Sequence, residues 1–299
     1  MIKLIKKTVS ILEKNWIFKI FVFWFLSLFP SKALFYIQNN ITTRSEKIVK
    51  EINDDWKYIH EQIISKKGFD GSKKYELIEF GAGRDLAQNI YLALMFPNLR
   101  QRLVDINIML NEKFFVNAYY RLCNLLSINP KEFHNNPQGL LKDLRIFYDA
   151  PQDISDLSNF HEYDFCISRH TLEHIPKKSL KKIFKNISHI MKIDGLFISC
   201  IDYSDHYSHS SKKLSAINYL RYNSFIWFFL NPPNHFQNRL RHSDHIKLMN
   251  NSNFEIITDE INISHTGDYK INNMFINYSE EDIRGTFGRI VAKIRKNDE

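Results

Sequence analysis

Short strand-like segments alternate with helix-like segments between residues 75 and 201, and this order constrains the fold more than any other feature. The strand-like segments are apolar, contain many β-branched and aromatic residues, and are bounded by glycine or polar turns. In chain order they are YELIEF, RLVDI, LRIFY, YDFCIS and LFISCI. Apolar residues at helical spacing occupy several of the intervals, as in LAQNIYLALMF and KKSLKKIFKNISHIM. This alternation predicts parallel strands that are joined by crossovers on the faces of one sheet.

Two further strand-like segments, FEIITDEINI and GRIVAKIRK, close the chain. The complete pattern predicts an α/β fold: a Rossmann-like three-layer sandwich with a seven-stranded, mostly parallel sheet whose last strand is antiparallel. Residues 1–65 are expected to form a basic, aromatic N-terminal arm that contains helices. Residues 66–299 are expected to form the main domain. A helical insertion after the fifth strand is expected to form a lid at about 205–250.

Positive charge is concentrated at the N-terminus. The chain has a net charge of +8, and residues 1–50 contain nine Lys or Arg but only two acidic residues. A nucleic-acid-binding protein usually spreads its basic residues over a face or groove. The distribution therefore argues against a nucleic-acid partner.

The segment WIFKIFVFWFLSLF, residues 16–29, lies within this basic arm. It is shorter than the ~20 apolar residues that a membrane-spanning helix requires, and no signal-peptide cleavage site follows it. One interpretation is a helix that packs on the domain. The other is a helix at an anionic membrane surface, with contact through residues 1–36. The three cysteines are far apart in the sequence, which favours a location in the reducing cytosol. The second interpretation of the arm adds peripheral contact at the inner face of the membrane.

The segment EFGAGRD follows the first strand of the alternating region, where Gly81 and Gly83 allow a tight turn and close approach of a ligand. Asp105 follows the second strand, where an acid can accept both hydroxyls of a ribose. Together they predict a nucleoside-containing cofactor. A dinucleotide site would need a third glycine, but Leu86 occupies that position. The acidic residues around the turn suit the sulfonium and ammonium groups of S-adenosylmethionine better than a pyrophosphate, so an NAD(P)-dependent oxidoreductase is the weaker alternative.

With three later motifs, the segment from about residue 75 to 202 resembles the class I S-adenosylmethionine-dependent methyltransferases. These motifs are FYDAPQDIS, YDFCISRHTLEHIP and MKIDGLFISCID. The resemblance implies S-adenosylmethionine as cofactor and a methyltransferase activity. The residues that it places at the cofactor are Glu79, Gly81, Gly83, Asp105, Asp149, Ala150, Asp153, Ser168 and Arg169.

More narrowly, IDYSDHYSHS, YLRYNS and QNRLRHSDHIKLM resemble segments of an uncharacterised bacterial subgroup that is often associated with the biosynthesis of surface polysaccharides or other glycans. This resemblance implies a small-molecule or glycan acceptor that is methylated on oxygen or nitrogen. The alternative from another class is a catalytically degenerate methyltransferase fold that serves as a scaffold at the membrane surface.

IDYSDHYSHS leaves the fifth strand where the methyl acceptor would lie. His206 and His209 are the expected proton acceptors, because an imidazole titrates near neutral pH, and Asp205 is expected to orient one of them. Tyr203 and Tyr207 are expected to stack on a sugar or to close the pocket.

Further along the chain, Arg239 and Arg241 are candidates for binding a carboxylate or phosphate of the substrate. Asp202, Asp205, His206 and His209 could together bind a metal ion, but adjacent donors in one loop rarely converge, so no metal is predicted. In the preceding motif, Glu173 is expected to cap the next helix, and His174 to hydrogen-bond the turn after strand four.

Overall fold

The computed structural model describes residues 15–29, 49–131, 136–158, 160–211, 213–264 and 269–295. The described strands form one seven-stranded sheet in the spatial order β3-β2-β1-β4-β5-β7-β6. β7 runs antiparallel to both of its neighbours, and the other neighbouring pairs are parallel. The predicted fold class, with a mostly parallel sheet and an antiparallel last strand, is confirmed.

The strands have the following bounds: β1 Tyr75–Phe80, β2 Leu99–Val104, β3 Ile146–Asp149, β4 Tyr163–Arg169, β5 Met191–Asp202, β6 Phe254–Ile263 and β7 Gly285–Ile294. β5 is longer than the predicted segment LFISCI, because Asp194 and Gly195 continue the strand instead of ending it. The pairing of β4 with β5 is irregular between Tyr163 and Phe165. A side chain on Gly195 would lie 2.9 Å from the carbonyl oxygen of Lys192, so glycine fits this irregular segment.

The helices lie on both faces of the sheet and at its carboxyl-terminal edge. Their bounds are α1 Trp16–Leu26, α2 Asp54–Ser65, α3 Ala87–Met95, α4 Glu112–Leu125, α5 Pro137–Asp143, α6 Lys177–Ile190, α7 Ser224–Leu230, α8 His242–Asn250 and α9 Glu280–Arg284. No helix in these described ranges is long and apolar enough to cross a lipid bilayer.

Alternate side chains of the strands pack into two apolar cores on opposite faces of the sheet. Leu77 of β1 packs into a core that is covered by α2, α3, α4 and α5. The next residue, Ile78, packs into the opposite core, which is covered by α6 and α8. Successive residues of a strand point to opposite faces, so β1 is buried on both sides as expected for an inner parallel strand.

The segment after β5 that was expected to form a lid at about 205–250 includes α8. α8 belongs to the helical layer, because it packs against α6, β6 and β7. Residues 205–241 form the insertion proper, and its Tyr219, Leu220 and Trp227 share a small third core with Phe275 and Ile283. The insertion therefore rests on the segment between β6 and β7 as well as on the end of β5.

The described part of the N-terminal arm consists of residues 15–29, 49–53 and α2. Trp24 of α1 donates a 2.7 Å hydrogen bond from Nε1 to the carbonyl oxygen of Phe229 in α7. Phe23 stacks on His235 at a ring-centroid distance of 4.5 Å. α1 thus packs on the insertion. Residues 1–14 and 30–48, which contain most of the basic residues of the arm, lie outside the described residues.

Candidate functional site

The turn after β1 contains two glycines in the left-handed region. Gly81 has a φ of +79° and Gly83 a φ of +82°. A Cβ on Gly81 would lie 2.3 Å from Oγ1 of Thr171, whereas a Cβ on Gly83 would meet no atom of the described residues within 4 Å. Both positions require glycine for backbone conformation. Only Gly81 also requires it for packing, and the turn at Gly83 faces open space that a ligand can approach.

Glu79, on β1 two residues before Gly81, connects the start of this turn to α3. Its carboxylate is buried and accepts hydrogen bonds from Nε2 of Gln88 (3.0 Å) and Nδ2 of Asn89 (2.6 Å) on α3. Burial raises the pKa of Glu79 to about 7, although the amide donors and the more distant Arg169 oppose the shift. These contacts fix α3 to the strand end, and contact between Glu79 and a cofactor stays a prediction.

Asp105 directly follows β2 and lies beside the glycine turn. Its Oδ2 atom is buried and has no hydrogen-bond partner among the described residues. Burial and the nearby Glu79 raise the pKa of Asp105 to about 7, while the backbone N–H of Gly83 and the hydroxyl of Tyr148 lower it. A buried carboxylate oxygen without a donor is unfavourable by itself, and two ligand hydroxyls would satisfy it.

The loop after β3 adjoins Asp105 through its backbone. The N–H of Gln152 donates a 2.8 Å hydrogen bond to the carbonyl oxygen of Asp105. Asp149 forms an ion pair of 2.6 Å with Arg102, and Asp153 caps the following helical turn by accepting from the N–H of Ser155. Ala150 is half-buried. The carboxylates of Asp149 and Asp153 thus both have protein partners, and contact between this loop and an adenine stays a prediction.

The end of β4 carries Ser168 and Arg169. Ser168 is fully buried, and its Oγ has no hydrogen-bond partner in the described ranges, whereas Arg169 lies 4.0 Å from Asp55. Asp55 is the centre of a network that the sequence did not reveal. It lies 3.1 Å from Nε2 of His170 and 3.2 Å from Nη2 of Arg289. α2 is thereby fixed over the carboxyl-terminal ends of the central strands.

The chain segments after β4 and after β5 bring acidic and imidazole groups together. Glu173 and His174 come from the 3₁₀ turn Leu172–His174, whereas Asp202 ends β5 and His206 follows it. The rings of His174 and His206 have centroids 4.9 Å apart. Oδ2 of Asp202 lies 3.6 Å from Nε2 of His206 and 3.7 Å from Nε2 of His209.

Asp202, and not Asp205, is the acid beside these histidines. Burial opposes ionisation of Asp202, but His206 and hydrogen bonds from Ser204 lower its pKa to about 2. Ser204 connects Asp202 to His209, because its Oγ lies 2.5 Å from Oδ1 of Asp202 and 2.8 Å from Nε2 of His209.

The predicted orienting role of Asp205 is contradicted by its contacts. Its carboxylate accepts from the N–H of Tyr207 and from Nδ2 of Asn218, and it is almost completely buried. These contacts close the loop on itself and place one protein donor at each carboxylate oxygen.

Tyr203 and Tyr207 are also internal. The hydroxyl of Tyr203 lies 2.9 Å from Nδ1 of His242, and that of Tyr207 donates to the carbonyl oxygen of Leu230. Both side chains are buried, so these tyrosines hold the insertion in place and do not present a free face to a sugar.

Both candidate arginines bind the protein itself. Arg241 is fully buried and donates to the carbonyl oxygens of Tyr203, Asp282 and Gly285 and to the hydroxyl of Tyr219. Arg239 donates to the carbonyl oxygens of Tyr219 and Tyr222 and lies over the rings of Trp227 and Phe275. The predicted substrate contact of Arg241 is therefore replaced by a structural role, because a fully enclosed guanidinium is not available to a carboxylate or phosphate.

Aromatic side chains are exposed on α1 and α7, next to the insertion. Phe21 and Phe25 of α1 are 68% and 60% exposed, and Phe225 and Phe228 of α7 are 74% and 63% exposed. We call these four residues, with Phe18 and Phe229, the aromatic surface. α1 packs on the insertion, which agrees with one of the two interpretations of residues 16–29, but this surface is left uncovered by the described residues.

No model of a known protein family matches the chain, and no curated protein matches it in sequence. Solved structures of similar fold are S-adenosylmethionine-dependent methyltransferases. One is geranyl diphosphate C-methyltransferase of Streptomyces coelicolor with Mg²⁺, geranyl diphosphate and S-adenosyl-L-homocysteine (TM-score 0.46, 12% identity, 80% of each chain covered).

A second similar structure is 1,6-didemethyltoxoflavin-N1-methyltransferase of Burkholderia thailandensis, with 1,6-didemethyltoxoflavin and S-adenosylhomocysteine bound (TM-score 0.46, 12% identity, covering 81% of this chain and 79% of that one). A third is an S-adenosylmethionine-dependent methyltransferase of Clostridium acetobutylicum (TM-score 0.44, 14% identity, covering 89% of this chain and 99% of that one).

Proposed function

We propose that the protein transfers a methyl group from S-adenosylmethionine to an oxygen or nitrogen of a small-molecule or glycan acceptor. The observation that carries the proposal is the unpartnered, buried Oδ2 of Asp105 beside the open turn at Gly83. A ribose would give that oxygen its missing donors, and the turn would admit the rest of the nucleoside. The glycan part of the acceptor class rests on the sequence resemblance alone.

The start of α3 favours this cofactor over a dinucleotide. A pyrophosphate binds where the first N–H groups of a helix are free to donate. Here Oδ1 of Asp85 already accepts from the N–H of Ala87 at 3.1 Å. A pyrophosphate at this point would meet a carboxylate, which disfavours the NAD(P)-dependent alternative.

The groups at the ends of β4 and β5 would form the acceptor side. In the transfer, a lone pair of the acceptor forms the new bond to the methyl carbon, and the carbon–sulfur electron pair stays on sulfur, giving S-adenosylhomocysteine. We propose that the acceptor's proton goes to His209, whose side chain is 56% exposed, whereas that of His206 is only 12% exposed. Asp202 and Ser204 would orient that imidazole.

The proposed acceptor side also argues against a degenerate scaffold, since the glycines, Asp105 and an acid–imidazole group are all retained at one sheet edge. A peripheral contact with an anionic membrane remains part of the proposal. It is supported by the aromatic surface on α1 and α7 and by the basic residues of the N-terminal sequence.

Calorimetry with S-adenosylmethionine, S-adenosylhomocysteine and NAD⁺ tests the proposed activity class. The wild type should bind the first two and not NAD⁺. Gly83→Arg should abolish binding, because its side chain would enter the open space at the turn. Gly68→Arg is the matched control, since Gly68 is exposed, has a φ of +75°, and a Cβ there would also meet no atom of the described residues within 4 Å. The proposal fails if the folded wild type binds neither methyl-donor compound, or if Gly83→Arg binds them as the wild type does.

A further inference from the structure

Among the acidic side chains at the carboxyl-terminal edge of the sheet, Glu173 has the least to offset the cost of burying its charge. It is 2% exposed, and within the part of the chain that the structure describes neither carboxylate oxygen has a hydrogen-bond partner of ordinary geometry. The predicted helix-capping role is therefore not observed. An isolated carboxylate in a protein interior is strongly unfavourable unless it is neutralised, paired or bound to a metal.

Besides His170, whose Nδ1 lies 3.9 Å from Oε1 of Glu173, two further imidazoles lie near this carboxylate. One ligand atom from each of Glu173, His174 and His206 lies within 4.8 Å of the others. We infer that these three side chains form a binding site for a divalent transition-metal ion. Two of the three ligands come from the turn after β4 and the third from the loop after β5, so the donors converge from separate segments.

His174 already has the orientation of a metal ligand. Its Nδ1 lies 2.9 Å from the carbonyl oxygen of Phe236, and because a carbonyl only accepts, Nδ1 must carry the proton. The lone pair of His174 is therefore on Nε2. Metal-bound histidines usually donate their other ring N–H to a carbonyl or carboxylate in this way.

Asp202 lies at the edge of the same group. Its Oδ2 is 3.6 Å from Nε2 of His206, too far for a hydrogen bond. Two ligands of one metal are about 3 to 3.5 Å apart when each metal–ligand bond is ~2.1 Å. Asp202 also forms a second close group with His170 and Glu173. It is thus placed to act as a fourth ligand or to hold His206 in position.

The donor types restrict the metal. Two imidazole nitrogens with one or two carboxylates favour zinc and the neighbouring first-row ions over Mg²⁺ and Ca²⁺, which prefer oxygen ligands alone. The adjoining Thr171 contacts Gly81 of the glycine turn, so the site lies next to the proposed methyl donor. If the proposed function holds, the metal would bind an oxygen or nitrogen of the acceptor and position it for transfer. Metal binding itself does not depend on that function.

Zn²⁺ and Co²⁺ binding to untagged, chelator-treated protein tests the inference by calorimetry and by the visible spectrum of Co²⁺, with Mg²⁺ as the comparison ion. We expect one Zn²⁺ per chain and weaker binding of Mg²⁺. Glu173→Gln, His174→Ala and His206→Ala should each weaken Zn²⁺ binding by at least about 100-fold, beyond the ~10- to 100-fold effect of losing an outer partner. His189→Ala is the matched control, because His189 is exposed on α6 and distant in the fold from the site.

The inference is overturned if the folded wild type binds no stoichiometric Zn²⁺ or Co²⁺, or if Glu173→Gln and His206→Ala bind as the wild type does. Circular dichroism and S-adenosylmethionine affinity of the same samples show whether each variant folds. Zn²⁺ binding without S-adenosylmethionine binding would refute the proposed function alone. S-adenosylmethionine binding without a metal would refute the metal site alone.

Discussion

Gly81 at the end of β1 and Thr171 after β4 touch so closely that a Cβ on the glycine would lie 2.3 Å from the threonine Oγ1. This contact joins the proposed cofactor turn to the segment that carries Glu173 and His174. The proposed donor and acceptor sides are therefore in direct contact. A substitution on one side should affect the structure of the other.

Gly81→Ala and Gly83→Ala separate packing from backbone conformation. Both place an alanine in the left-handed region, which costs roughly 1–2 kcal/mol. Only Gly81→Ala also forces Thr171 to move, so it should lower the free energy of unfolding by at least about 1 kcal/mol more than Gly83→Ala. Urea unfolding of the two variants measures the difference. Equal losses of unfolding free energy in the two variants would show that Thr171 can move aside without an energetic penalty.

His245 should make the fold sensitive to acid. It is fully buried, and burial lowers its pKa to about 3, with Asp244 opposing and His242 and Arg241 adding to the shift. The unfolded chain takes up a proton below about pH 6.5 and the folded chain does not, so stability is lost as the pH falls from there towards 3.

His245→Leu should remove this dependence. The decrease in unfolding free energy between pH 7 and pH 5 should be smaller by about 2 kcal/mol in the variant than in the wild type. His189→Ala, at an exposed position, should leave the decrease unchanged. Urea unfolding at the two pH values decides the matter, and an unaltered decrease in His245→Leu would assign the acid sensitivity to other groups.

Arg241→Met should destabilise the protein by about 3–5 kcal/mol, because it leaves several buried acceptors without a donor. Arg221→Met, at an exposed position in the same insertion, should change the stability by less than about 0.5 kcal/mol. Thermal and urea unfolding provide the comparison. If Arg241→Met were as stable as the wild type, the substrate-binding role that the sequence suggested would regain support.

The aromatic surface should determine membrane contact. The double variant Phe21→Ser, Phe225→Ser should sediment less with phosphatidylglycerol-containing vesicles than the wild type, while Phe147→Ser, Phe160→Ser should not differ from it. All four side chains are well exposed, but Phe147 and Phe160 lie away from α1 and α7. Neutral phosphatidylcholine vesicles should bind the wild type weakly. Equal sedimentation of both double variants would remove the membrane contact from the proposal.

The sheet could be predicted from the sequence because its signals are local. YELIEF coincides with β1 and FEIITDEINI with β6, since each is rich in β-branched or aromatic residues and has clear boundaries. The predicted β5 is too short, because a glycine that usually ends a strand lies here at an irregular pairing with β4.

The candidate site was less predictable, because the direction of a side chain depends on contacts that are distant in sequence. Asp205 is adjacent to His206 in the chain, yet its carboxylate turns to Asn218 while Asp202 lies beside the imidazole. Asp55 gave no signal, since its partner His170 is 115 residues away. For Glu173 the sequence did contain a signal. Neighbouring parallel strands end at the same edge of a sheet, so SRHTLEH, which contains Glu173, and IDYSDHYSHS could have been considered as one group.

Binding of S-adenosylmethionine to Asp105→Asn tests the central claim most directly. The variant keeps the shape of the side chain but replaces an oxygen that would accept a ribose hydroxyl, so the affinity should fall by about 10- to 100-fold. Asp143→Asn, at an exposed position on α5, should bind as the wild type does. Calorimetry of the three proteins under identical conditions gives the result. Wild-type affinity in Asp105→Asn would contradict the assignment of Asp105 to the cofactor and with it the proposed site.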